Sequence, residues 1–161
     1  MEPRIEFLSL KKLVGKQLKM SLSRDRTREL FQSFMPRRLE IKNSLSSDLF
    51  CVQVFDPSLS FKDFRKETEF EKWAAKEVHD FNEVPSEMEG LVVEAGLYAV
   101  FLYQGKSSEF EATFEYIFNN WIPNSIYEVD NRPHFDLMGV KYKHEDPSSE
   151  EEIWVPIRLK Q

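Results

Sequence analysis

Two ten-residue stretches, LFQSFMPRRL at residues 30–39 and IFNNWIPNSI at residues 117–126, read alike at a distance of 87 positions. Leu30 matches Ile117, Phe31 matches Phe118, Phe34 matches Trp121, Pro36 matches Pro123 and Leu39 matches Ile126. Each reads as the end of an amphipathic helix stopped by proline, whose ring cannot continue the hydrogen-bond ladder. In the second stretch Phe110, Phe114, Ile117, Phe118 and Trp121 recur at helical spacing and make one apolar stripe. Ser108 with Glu111 three residues later fits a capping box, so the helix should run from there to about Trp121. In the first stretch Leu30, Phe31 and Phe34 mark the stripe, with Ser23 or Asp25 as its cap.

The flanking segments echo as well. LVGKQLKMSL (13–22) and GLYAVFLYQG (96–105) precede the two helices as strands, and LFCVQVF (49–55) falls on DLMGVKY (136–142) at the same offset. The second half closes with EIWVPIRL (152–159). Its counterpart would be FEKWAAKEVHDF (70–81), which also suits a helix through Phe70, Trp73, Ala74 and Phe81; the symmetry favours a strand. The period is too long for a solenoid. The expected fold is therefore α+β: tandem βαββ repeats, about 4–81 and 84–159, related by a pseudo-twofold axis in one domain spanning 1–161. The sheet should be mostly antiparallel, with helices on one face and a ligand groove on the other. The polar segment 56–69, DPSLSFKDFRKETE, reads as an excursion between strands.

The last strand raises a question of its own. Side chains alternate along a strand, so Ile153, Val155, Ile157 and Leu159 make a core face while Glu152, Trp154, Pro156 and Arg158 share the other. A carboxylate and an indole on the side usually given to water suggest the wall of a binding cleft.

Composition limits the alternatives. A hydrophobic content of 41% supports a packed core, and 14 phenylalanines leave enough for an aromatic-lined pocket as well. One cysteine, Cys51 in an apolar run, excludes an internal disulfide, and three separated histidines without ligand-spaced partners speak against a metal site. No cofactor is implied. No apolar segment is long enough to span a bilayer and MEPRIEF has no signal-like core, so a cytoplasmic, soluble protein is expected. Residues 1–42 carry 11 basic and 5 acidic side chains, a balance of +6 against −12 in the remainder, giving the net −6. The basic charges are dispersed among apolar positions, and no helix-turn-helix pattern accompanies them; direct nucleic-acid binding is not expected.

Four segments, GLYAVFLYQG (96–105), WIPNSIYE (121–128), PHFDLM (133–138) and EIWVPI (152–157), together resemble in order and spacing the GyrI-like small-molecule-binding domain, the effector-binding domain of AraC-type and multidrug-responsive bacterial regulators. The resemblance is best over 84–159; LFQSFMPRRLEI matches more loosely. It implies two βαββ repeats around a hydrophobic groove whose central acid meets cationic, aromatic ligands. Carried over residue by residue, it points to Tyr98, Trp121, Tyr127 followed by Glu128, and Glu152, with Trp154 and Phe135 completing the ligand-binding set. Trp73 and Phe55 are candidates for the wall of the first half. The chain departs from the family at Ile126, where glycine is usual, at Trp154, where tyrosine is more common, and at Asp136 and Met138, where a glutamate and a tyrosine often stand.

An aromatic cage with one carboxylate suits an organic cation, each ring face contributing about 0.5–2 kcal/mol. The leading expectation is a small-molecule-binding protein acting as sensor or sequestering agent, possible partners including a separate regulator. A second is a hydrolase of strained cyclopropane-type compounds, with Glu152 as general acid or base and Tyr98 or Tyr127 orienting substrate. A third is an inhibitory protein-interaction module using the acidic surface.

Overall fold

A computed structural model describes all residues, Met1–Gln161. Nine strands form the structure: β1 (Arg4–Leu8), β2 (Lys11–Met20), β3 (Leu49–Val54), β4 (Phe70–Val78), β5 (Glu89–Val93), β6 (Gly96–Gln104), β7 (Tyr127–Val129), β8 (His134–Met138) and β9 (Glu150–Leu159). The helices are α1 (Thr27–Phe34), α2 (Glu111–Tyr116) and α3 (Ile122–Asn124). All strand pairs are antiparallel, in the order β1-β6-β9-β8-β3-β4-β2-β5, with β7 added to the far end of β9. Residues 70–78 are thus the strand that the symmetry favoured. Exchanging β1 with β5, β2 with β6, β3 with β8 and β4 with β9 reads the main order backwards.

That order forces the sheet to curl. β1 and β2 lie six strand spacings apart, about 29 Å if flat, yet only Ser9 and Leu10 connect them, a link that reaches about 11 Å. The same holds for β5 and β6, joined by Glu94 and Ala95. The two edges must therefore approach each other, and the inner face closes on itself. Leu8, Leu13, Val93 and Tyr98, from the four strands at the closure, belong to one buried cluster with Phe50, Val52, Trp73, Phe135 and Trp154.

Both helical segments pack on the opposite, outer face. Leu30 and Phe34 of α1 meet Val14, Ala74 and Val78 of β2 and β4. Ile117 and Ile122 meet Phe101, Ile153, Val155 and Ile157 of β6 and β9. The two apolar stripes read from sequence are those buried here.

The α-helix α1 ends at Phe34, before Pro36, as the sequence suggested, whereas Pro123 does not stop the second helix. α1 tightens into a 3-10 turn over Met35–Glu40 that contains Pro36. α2 widens into a π turn over Ile117–Trp121 and continues as α3, which contains Pro123. A local change of pitch displaces the carbonyl that the proline ring would strike and absorbs the missing donor. Asn124 Nδ2 donates to the Asn120 carbonyl at 2.8 Å in the same turn. The capping box does not form, because Ser108 Oγ donates to Glu145 instead, at 2.9 Å. β8 covers 134–138 rather than 136–142, the chain turning after Met138. No helix is long and apolar enough to cross a membrane.

Candidate functional site

The two helical segments stand apart on the outer face, and the strip of sheet between them is the floor of a groove. Its open volume is about 2590 Å³. The groove therefore lies on the helix-bearing face, not on the face opposite as the sequence suggested. The opposite face is the one used up by the curl.

Register decides which side chains reach the floor. Cys51 pairs with Asp136, Asp136 with Ile153, and Gln53 with His134 and Lys72. Directly paired residues share a face, so Cys51, Gln53, Lys72, His134, Asp136 and Ile153 all point outward. Glu151 shares that phase with Ile153 and lines the groove as well. Phe31 on the α1 side and Phe118 and Ile122 on the other side form the walls, while Phe55, Phe61 and Phe64 close one end. These rings interlock: Phe55 lies 5.1 Å from Phe61 edge-on, and Phe61 lies 6.4 Å from Phe118 across the groove, nearly parallel. The excursion 56–69 thus supplies an aromatic cover through Phe61.

Electrostatically the floor is unusual. Burial pushes the Asp136 carboxyl up to about 7, the charge of Glu151 adding to the effect and Lys72 opposing it. Asp136 keeps some accessible area because it lines the groove, but protein surrounds it at longer range, and that sets the desolvation. Glu151 is raised by the same burial, again opposed by Lys72. Lys72 Nζ donates to Thr27 Oγ1 at 2.8 Å, which anchors the ammonium at the α1 side. Burial also lifts the Cys51 thiol to about 12, so it stays a protonated, inert group. Burial and the nearby Arg132 charge hold His134 down to about 3, leaving a neutral imidazole.

The six residues singled out from sequence do not form one site. Tyr98, Phe135 and Trp154 lie inside the curl, with ring centroids 5.3 to 5.8 Å apart. Tyr98 donates its hydroxyl to the Pro133 carbonyl at 2.8 Å and stacks under Arg132. Glu152 sits at the rim of the same face, ion-paired to Arg4 at 2.8 Å and accepting the Trp154 indole N–H at 3.1 Å. Trp121 and Tyr127 stack on each other at 6.2 Å on the helix face. β9 separates the two groups. The pairing of carboxylate and indole that looked like a cleft wall is a core tryptophan satisfied by its rim glutamate. Glu71 does the same for Trp73 on β4, at 3.2 Å.

The acid at the groove is one residue earlier, and a one-residue step on a strand changes the face. Glu151 lies in phase with Ile153 and Val155, the face read as plain core. Asp136 carried a readable signal, since it stands where the family often has an acid. His134 and Lys72 carried none.

The GyrI-like small molecule binding domain model matches residues 1–158. No curated protein sequence matches significantly. Among solved structures, a bacterial transcription regulation protein from Staphylococcus aureus MU50 is similar at TM-score 0.67 and 17% identity, covering 98% of this chain and 99% of that one. SAV2435 bound to tetraphenylphosphonium is similar at TM-score 0.66 and 15% identity, covering 98% and 94%. The EcmrR C-terminal domain reaches TM-score 0.70 at 13% identity, covering 99% and 98%. At these identities the structures establish a common fold, while the sequence match reaches almost from end to end. The chain belongs to the GyrI-like small molecule binding domain family.

Proposed function

We propose that the protein captures amphipathic organic cations carrying aromatic groups in the groove between the two helical segments, as a cytoplasmic sensor or sequestering protein. One observation carries this reading: an aromatic-walled groove has Asp136 and Glu151 on its floor. Ring faces attract a cation, and two partly desolvated carboxylates supply its countercharge. A cation displaces the proton that Asp136 holds near neutrality, so the acids need not be buried as unpaired charges beforehand. The tetraphenylphosphonium bound to the similar SAV2435 is a ligand of the same chemistry.

Isothermal titration calorimetry with tetraphenylphosphonium at pH 8 tests the reading. Saturable binding is expected, weakened about tenfold, or ~1.4 kcal/mol, in Asp136→Asn or Glu151→Gln. Absence of binding, or equal affinity in all three proteins, would refute it. A hydrolytic role is favoured only by the Asp136 carboxyl, whose pKa near neutrality suits proton transfer. Product formation from a strained cyclopropane substrate, lost in Asp136→Asn, is what that role requires.

A further inference from the structure

We infer that the groove holds its ligand at two points, and that the second is His134, which takes an uncharged hydroxyl on an aromatic ring whose other end carries the cation. This deepens the reading above and rests on it for the position of the charge.

His134 and Asp136 are two residues apart on β8 and share the groove face, which separates their Cα atoms by about 6.5–7 Å. His134 is 6% exposed, and its Nε2 has no hydrogen-bond partner. Buried polar atoms are nearly always paired, so an orphaned ring nitrogen on a binding groove marks a place for a ligand atom. Three rings surround the imidazole: Phe55 at 5.0 Å, Phe61 at 5.4 Å and Phe118 at 6.1 Å. A small cavity of about 100 Å³ adjoins it, lined also by Asn131 and Arg132.

Charge and hydrogen-bonding capacity select the ligand group. The Arg132 guanidinium disfavours a second cation here, so the cationic centre stays at Asp136 and Glu151. Arg132 is ion-paired with Asp130 at 2.7 Å and donates through Nη2 to the Leu97 and Ile157 carbonyls, so its charge is balanced without an anion, while its buried Nη1 has no acceptor. A neutral imidazole presents one donor and one acceptor nitrogen, and a hydroxyl can serve either. The ring that bears it would replace Phe61, which comes from the irregular excursion between β3 and β4, and stack on Phe118.

The test compares tetraphenylphosphonium with (3-hydroxyphenyl)triphenylphosphonium by calorimetry at pH 7.0, where the meta phenol keeps its proton, using wild type, His134→Phe and His134→Gln. The two probes differ by one ring hydroxyl. Wild type should bind the hydroxy probe at least fivefold more tightly. His134→Phe should abolish the preference, and His134→Gln, which still hydrogen-bonds, should keep part of it. Imidazole ¹⁵N shifts of the wild-type protein should move with the hydroxy probe far more than with the parent, a readout that needs no variant to fold. Equal wild-type affinities, or a preference that survives His134→Phe, would overturn the inference while leaving cation capture intact. Failure of both probes to bind would overturn both readings.

Discussion

Asp136→Asn should make the protein less sensitive to alkali. The Asp136 carboxyl moves from an ordinary 3.8 to about 7 on folding, chiefly through burial and then through the negative charge of Glu151. A raised folded pKa means that folding takes up a proton. The protonated form therefore folds without penalty below pH 3.8, and stability is lost progressively as pH rises to and through 7. Three pH units correspond to about 4 kcal/mol over the whole range, of which about 2.5 kcal/mol falls between pH 5 and pH 8.5. Water entering the groove and relaxation around Lys72 should reduce this to about 1–2.5 kcal/mol. Urea denaturation of wild type and Asp136→Asn at both pH values isolates the effect of Asp136 together with its coupling to Glu151 and Lys72, since the titrating groups not coupled to it cancel in the difference. The variant should gain on wild type by that amount on going from pH 5 to 8.5, equivalent to about 2–10 °C in midpoint for a chain of this size. Parallel pH profiles would show that the carboxyl is not desolvated and would remove the argument for a charged groove floor.

Two further outcomes test the division of labour between the sheet faces. Glu152→Gln should cost only about 0.5–1 kcal/mol, because it loses a half-exposed ion pair to Arg4 while an amide oxygen still accepts the Trp154 indole N–H; its affinity for tetraphenylphosphonium should match wild type, and a tenfold loss in calorimetry would return Glu152 to the ligand. Gly15→Ala should destabilise by about 3 kcal/mol or more in urea, since a Cβ there would lie 1.9 Å from the Ala74 carbonyl oxygen and force β2 away from β4. A near-neutral effect would contradict the close strand approach inside the curl.

The sequence by itself determined the local elements and their order. The helical stripes at Leu30–Phe34 and Phe110–Trp121 are set by periodicity, which depends only on neighbouring residues. Alternation in EIWVPIRL marks a strand by the same local logic, GLYAVFLYQ reads as a continuous apolar strand run, and the echo between the halves resolved the ambiguous 70–78. Asp136 stood in the sequence only as a departure from the family's usual glutamate, and its place on the groove floor was not read from it. The tertiary structure alone decided which strand face becomes core and which becomes groove. Alternation sorts residues into two sets, but closure of the sheet around short β1–β2 and β5–β6 links selects which set is enclosed. That selection sent Trp154, Tyr98 and Phe135 inside, put Glu152 at the rim as the partner of Arg4, and left Glu151, Asp136, His134 and Lys72 facing the groove. It rests on contacts between strands far apart in sequence, and no pattern within a single strand contains that information.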